Sequence, residues 1–250
     1  MSLGANFASR PGYLAFALAS ACLCALPLPS RGAPTAAASA SLQETLAKGV
    51  SPGTTVPVDD AAGPVVADMS VANLRGEPGK PVVIRGVGEG RAVIRGRLRL
   101  TGAAYVVLER LAFEPDVADG ADKAWVDIAG EHIELRDCSI RGAPGDGLRL
   151  VGANNAVEGG EVYACEGYGL VLDGSARVHA VRIAACRHGG LRVGGQALIG
   201  NCLLLHNRGP ALEANSDADV RFFHNLVYDN GGGLILDAGR NARVINNLLI

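Results

Sequence analysis

Residues 132–140 read HIELRDCSI, residues 177–185 read RVHAVRIAA, and residues 220–227 read VRFFHNLV. Four further copies begin at Tyr105, Ala156, Leu198 and Ala242, so the pattern recurs about every 22 residues. A Gly-rich turn and a second stretch of alternating apolar and polar residues follow most copies. Two or three short strands per repeat, joined by sharp turns, predict a parallel β-helix, a solenoid in which each coil stacks on the previous one. Sandwiches and propellers would need longer repeats, which are absent.

Equivalent residues of successive coils should stack in columns, about 4.8 Å apart. Two inward columns are predicted: Leu108, Leu135, Val157, Val178, Ile199, Phe222 and Val244, and then Phe113, Ile140, Val162, Ile183, Leu204, Val227 and Leu249. At the inner corners, Asn225 with Asn247 and Asn207 with Asn230 are predicted to form amide ladders between coils. The segment 210–213 fits least well, because either register brings Pro, Ala or Glu near the core.

Three segments are predicted along the chain. Residues 1–40 are an export signal, residues 41–80 are an N-terminal cap and lead-in segment, and residues 81–250 are the β-helix, with strands from Pro81 onward. A capping box of Ser41 and Glu44 predicts one short capping helix, which Gly49 ends. The sequence stops inside an unfinished coil, so we expect truncation of a longer protein; an oligomer covering the uncapped coil is the alternative.

The signal combines one early charge, Arg10, with an apolar run over residues 13–28. That run is too short and too Pro-broken for a transmembrane helix, so no membrane span is expected. Cys22 lacks the preceding Leu of a lipoprotein signal, which favours a secreted or periplasmic protein without a lipid anchor. The net charge of −2 gives no indication of a nucleic-acid partner.

The spacing of the cysteines in the sequence does not match a CxxC motif or another metal-binding pattern. Cys138 and Cys202 share a column but lie three coils apart, beyond bonding reach. Cys165 and Cys186 should be stacked neighbours; buried free thiols are favoured, and a disulfide remains the alternative.

The lead-in residues Leu42-Gln43, Gly79–Arg85 and Leu98–Phe113 are similar to polysaccharide lyase family six, the alginate lyase and chondroitinase B group. Residues 81–250 as a whole resemble the right-handed parallel β-helix superfamily of pectate-lyase-like proteins. The resemblance implies an all-β, right-handed single-stranded β-helix that acts on an acidic polysaccharide.

The same resemblance implies a catalytic Lys and a catalytic Arg, the Arg lying in an Arg-His-Gly run. Arg187-His188-Gly189 matches that run, whereas no lysine follows Lys123. The Arg therefore has a counterpart in this chain, and the Lys does not.

Four candidate catalytic residues stand at predicted turns: Arg187, His188, His206 and Arg208. A uronate lyase must neutralise the C5 carboxylate and remove the C5 proton, and we assign Arg187 or His206 as base and Arg208 to the carboxylate. The alternative is that these turn charges only pair in solvent, Arg187 with Glu166 and His206 with Asp229.

Six residues are candidates for substrate binding: Trp125, Asp127, Arg149, Tyr168, Arg192 and Asp229. The outward face of the second strand is predicted to present Asp127, Arg149, Val171, Arg192, Leu212 and Ile235, and Trp125 is expected to point outward and stack on a sugar. No cofactor is indicated; Asp116, Asp119 and Asp122 have ligand types suited to Ca²⁺, but not the spacing of an EF-hand loop.

Two functional hypotheses follow. The first is an exported carbohydrate-active enzyme, a lyase or epimerase on acidic polysaccharide. The second is a non-catalytic extracellular or periplasmic module that binds a glycan or a protein. The family-six-like lead-in favours the first, and the missing Lys favours the second.

Overall fold

The computed structural model describes residues 36–115, 124–237 and 241–250 and shows a solenoid of stacked parallel strands. One helix, α1, spans Ala36–Ala47. Sheet A has thirteen strands in the described residues: β1 Thr55–Val58, β3 Met69–Ala72, β4 Val82–Gly86, β6 Leu98–Glu109, β8 Val126–Arg136, β10 Leu148–Glu158, β12 Tyr168–His179, β14 Gly189–Val193, β15 Gln196–Gly200, β17 Pro210–Ala214, β18 Asp219–Phe223, β20 Gly232–Leu236 and β21 Arg243–Ile245. Sheet B has nine: β2 Val65–Val66, β5 Ala92–Arg95, β7 Leu111–Glu114, β9 Ser139–Arg141, β11 Glu161–Tyr163, β13 Arg182–Ala184, β16 Leu203–Leu205, β19 Leu226–Tyr228 and β22 Leu248–Leu249. The all-β parallel solenoid of about seven coils, with about 22 residues each, confirms the predicted parallel β-helix.

The solenoid begins earlier than predicted. Strand β1 pairs in parallel with β4, and β3 pairs with β6, so the prediction that strands start at Pro81 is wrong. Short Val-containing pieces separated by Gly and Pro are sufficient for these strands, because alternate residues such as Val56 and Val58 are buried.

Helix α1 also begins earlier than the predicted capping box. It starts at Ala36, so Ser41 lies within the helix, because Ala has the highest helix propensity and extends it backward. Leu42 and Leu46 are buried, and Gly49 follows the helix with a φ of 88°. Most of the predicted export signal, residues 1–35, lies outside the described residues. The described part of the chain contains no helix with the length and hydropathy needed to cross a membrane.

The inward columns form the core. Leu108, Leu135, Val178, Ile199 and Phe222 are at most 1% exposed, and the paired strands place them in register. Val244 and Leu249 stand in the predicted columns but are 42% and 48% exposed.

Both predicted amide ladders are present at the inner corners. Asn225 Oδ1 accepts from the Cys202 backbone N–H at 2.8 Å, and its Nδ2 donates to Asn247 Oδ1 at 3.0 Å. At the next corner of the coil, Asn207 makes the same contacts, and its Nδ2 donates to Asn230 Oδ1 at 2.8 Å. Each amide satisfies backbone groups that the turn leaves without a strand partner.

Strand β17 resolves the ambiguous segment 210–213. Leu212 pairs with Leu191 and Leu234 and is completely buried, so the prediction that it points outward is wrong. Glu213 takes the outward position between Arg192 and Ile235. This register buries an isobutyl group and leaves the carboxylate half-exposed, which the hydrophobic effect favours.

Candidate functional site

A depression of about 500 Å³ lies at the corner where sheet A strands β12 and β14 begin. Four predicted site residues line it: Tyr168, Arg187, His188 and Arg192. Two carboxylates, Asp146 and Glu166, also line it. The structure therefore brings together the Arg-His run, one candidate aromatic residue and one arginine of the strand face. We refer to this feature as the corner depression.

Tyr168 is the centre of the corner depression. Its hydroxyl donates to Glu213 Oε2 at 2.5 Å, and the Arg192 guanidinium lies 5.3 Å from its ring centroid. The His188 ring meets the Tyr168 ring edge-on, with centroids 6.1 Å apart. Burial, and then the hydrogen bond to Glu213, raise the pKa of Tyr168 to about 12. The phenol therefore stays protonated at neutral pH and can act as a donor.

Arg187 is paired across one coil with Glu166. Its Nη1 lies 2.8 Å from Glu166 Oε2, and this hydrogen bond holds the pKa of the Glu166 carboxyl below its ordinary value. Arg208 follows in the same column, because Arg187 N and Arg208 N bond to Cys165 O and Cys186 O in turn. Among the described residues, Arg192 and Arg208 have no carboxylate ion-pair partner. These two cations are thus available to an anionic ligand.

His206 and Asp229 form a separate pair outside the corner depression. His206 Nδ1 lies 2.8 Å from Asp229 Oδ2, as the turn alignment predicted. The His206 ring also packs edge-on against Tyr228, with centroids 5.4 Å apart. Neither His206 nor Asp229 lines the depression.

Asp127 and Arg149 belong to an ion-pair ladder on the outer face of sheet A. Arg149 Nη2 lies 3.1 Å from Asp173 Oδ2, and its Nη1 lies 3.7 Å from Asp127 Oδ1. Asp127 also pairs with Arg99 at 3.3 Å. Arg149 is therefore already neutralised from both sides. Arg192 stands two coils further along the same column, as predicted, and Val171 between them is buried.

Trp125 does not point outward. Its side chain is 3% exposed and packs in the core, with the Arg97 guanidinium 5.2 Å from the ring centroid. Trp125 lies just before β8, which begins at Val126, so strand alternation does not determine its direction. Trp125 is thus unavailable for stacking on a sugar in this conformation. The carboxylates considered for Ca²⁺, Asp116, Asp119 and Asp122, lie outside the described residues.

The four cysteines of the described coils are buried free thiols, as favoured from the sequence. Burial raises the pKa of Cys138 to about 12 and that of Cys202 to about 11. The neighbouring Cys186 thiol, and then burial, raise the pKa of Cys165, whereas the Cys165 thiol lowers the pKa of Cys186. The Cys138 and Cys202 thiols are therefore poor nucleophiles.

Sequence reasoning missed Asp146 and Glu213 as parts of the site. Asp146 Oδ1 accepts from the Tyr168 backbone N–H at 2.7 Å and positions the start of β12. Its place in a Gly-Asp-Gly turn was the available signal. Gly189 gives the aromatic ring its space, since a Cβ there would lie 2.8 Å from Tyr168 Cε1.

The family model for the right-handed β-helix region matches residues 118–249. The chain therefore belongs to the right-handed β-helix family, which confirms the superfamily and the handedness expected from the sequence. No curated protein matches this chain.

Two solved structures share the fold. A mannuronic-acid-specific polysaccharide family 6 lyase from human gut microbiota has a TM-score of 0.66 and 17% identity, covering 83% of this chain and 56% of that one. Pectate lyase Pel9A has a TM-score of 0.48 and 15% identity, covering 74% of this chain and 60% of that one. The chain thus spans little more than half the length of the family 6 lyase that it resembles.

Proposed function

We propose that this protein is an exported, carbohydrate-active β-helix protein. Its corner depression binds a uronate unit of an acidic polysaccharide, and the protein cleaves the polysaccharide there by β-elimination. The observation that carries the proposal is the convergence of His188, Tyr168 and Arg192 in one depression beside Arg187. The fold shared with a mannuronic-acid-specific lyase supports the substrate class. Secretion or a periplasmic location follows from the predicted signal and suits a polymeric substrate.

Each residue has a defined role in this reaction. Arg192, which lines the depression and has no carboxylate partner among the described residues, neutralises the C5 carboxylate and so acidifies the C5 proton. His188 accepts that proton through its imidazole. With substrate bound, the Tyr168 hydroxyl turns from Glu213 to O4 and donates its proton there as the C4–O4 bond breaks, and a double bond forms between C4 and C5. Arg187, tied to Glu166, positions the turn that carries His188.

The test is the ultraviolet absorbance of the new C4–C5 double bond, measured with alginate, pectate, chondroitin and dermatan, with and without Ca²⁺. His188→Ala should lower kcat/KM by at least about a hundredfold, the contribution of a general base. His224→Ala is the matched control, because His224 is an exposed turn histidine outside the depression. Equal activity in the two variants would remove His188 from the reaction.

A second function, non-catalytic glycan binding at the same depression, is favoured by one observation. Arg187, the counterpart of the family's catalytic Arg, is already paired with Glu166, and no lysine follows Lys123 in the sequence. If no polymer yields the unsaturated product but a uronate oligosaccharide binds and Arg192→Ala weakens it, the binding function replaces the lyase function.

A further inference from the structure

A second concave surface runs along the solenoid axis and crosses the C-terminal part of β12, the strand that starts at the corner depression. It consists of two depressions, of about 400 and about 320 Å³, that share Asn154, Ala156 and Arg177. Because they share these residues, the two depressions adjoin, and we refer to them together as the axial groove. It lies outside the residues that line the corner depression.

The axial groove is long because its lining residues stack coil upon coil. The strand register connects Val107, Glu134, Ala156, Arg177, Leu198 and Arg221 in one column of five coil steps. At about 4.8 Å per step, the groove is roughly 24 Å long. Each unit of an extended 1,4-linked glycan is close in length to one coil, so successive sugars can meet equivalent positions.

One end of the groove carries an aromatic stack. The Tyr105 and His132 rings lie parallel, with centroids 4.4 Å apart and an interplanar angle of 6°. On the next coil, Asn154 occupies the position that Tyr105 and His132 hold on theirs. Its side chain is a small amide, so the column of aromatic rings ends at His132. A sugar ring resting over Asn154 would continue the stack, burying its apolar face against His132.

The remaining lining is suited to hydroxyl groups. Ser175, Gln196 and Asp219 stand in register on successive coils, and together they offer both donors and acceptors.

The charges that line the axial groove balance. The lining contains three arginines and three carboxylates: Arg136, Arg177 and Arg221, and Glu77, Glu134 and Asp219. Arg136 and Arg177 are already paired with Glu134 and Glu158. A polyuronate would meet these carboxylates at a cost, whereas a neutral sugar chain uses both signs for its hydroxyls.

We infer that the axial groove binds a neutral, hydroxyl-rich linear glycan. Sugar rings stack on the Tyr105–His132 end, and hydroxyls bond to Ser175, Gln196 and the Asp219–Arg221 coil. The inference is independent of the corner depression and of any elimination chemistry there.

The test is isothermal titration of the folded chain with neutral oligosaccharides of about six units, long enough to fill five coil steps. The panel contains β-1,4-linked glucose, mannose and xylose oligomers, with mannuronate and galacturonate oligomers as acidic comparators. We expect a neutral oligomer to bind, with affinity rising up to about five units. His132→Ala should weaken binding about threefold to tenfold, and Gln196→Ala, an exposed position, should weaken it as well.

Two matched controls keep the result specific. His224 has the same left-handed backbone as His132 (φ 55° and 54°), and Arg243 extends the Arg221 column beyond the groove lining. His224→Ala and Arg243→Ala should leave binding unchanged. Binding of acidic oligomers alone, binding of no oligomer, or an equal loss in His132→Ala and His224→Ala would each overturn the inference.

Discussion

Asn207→Ala tests the stacked-coil architecture, because the Asn207 side chain is 1% exposed and joins three coils. Its Oδ1 accepts from the Cys186 backbone N–H at 2.9 Å. Its Nδ2 donates to Ile183 O at 3.3 Å and to Asn230 Oδ1 at 2.8 Å. The substitution removes all three bonds and adds no bulk at the inner corner.

The size of the effect follows from which groups lose partners. The buried Cys186 N–H loses the acceptor it has in the structure, which costs about 1–3 kcal/mol. The Ile183 carbonyl loses one donor, while Asn230 Oδ1 keeps the Asn207 backbone N–H at 3.1 Å. We therefore expect the free energy of unfolding to fall by about 3 kcal/mol.

Urea unfolding followed by circular dichroism measures this change, provided that the m-value is unaltered. Asn201→Ala is the control, because Asn201 is exposed and Ala180 already holds the same turn position with a φ of 55°. It should cost less than about 1 kcal/mol. Equal losses in the two variants, or a loss below about 1 kcal/mol for Asn207→Ala, would refute the role assigned to the ladder.

Three further predictions concern titrating groups. Arg187→Gln should raise the pKa of Glu166 toward its ordinary value in a carboxyl NMR titration. The ion pair contributes to folding stability at pH values above the ordinary pKa of Glu166, and this contribution is lost as the pH falls through the lowered pKa. The pKa of Tyr168 is raised to about 12, so the free energy of unfolding should fall as the pH rises from about 10 to 12. This fall should be smaller in Glu213→Gln, because the hydrogen bond to Glu213 contributes to the raised pKa. Cys138, with a pKa of about 12, should resist iodoacetamide at neutral pH until the chain unfolds; labelling of the folded protein would contradict its burial.

The repeat made the fold predictable because stacking constrains every coil alike. The ladder of Asn225 and Asn247 was predictable, because the repeat places both amides at the same inner corner of successive coils. The Glu166–Arg187 and His206–Asp229 contacts followed from the same alignment. Once the register is fixed, residues one repeat apart must be neighbours.

The candidate site was less predictable than the fold, because its residues lie near strand ends, where side chains stop alternating between the core and the solvent. Trp125 precedes its strand, so its direction is set by the turn, and Leu212 was placed one position out of register. The link between Tyr168 and Glu213 spans two coils and depends on that register. Asp146 acts through a backbone N–H, a contact that no residue pattern shows.

The stacking described above has a mechanical consequence. Each coil is held mainly by the coils before and after it, so a pulling force applied at one end meets one inter-coil ladder at a time. A coil of about 22 residues that detaches would lengthen the tether by roughly 70 Å. Stretched between two handles, the chain should unravel in a regular series of such steps, and the coils joined by asparagine amides should resist the highest forces.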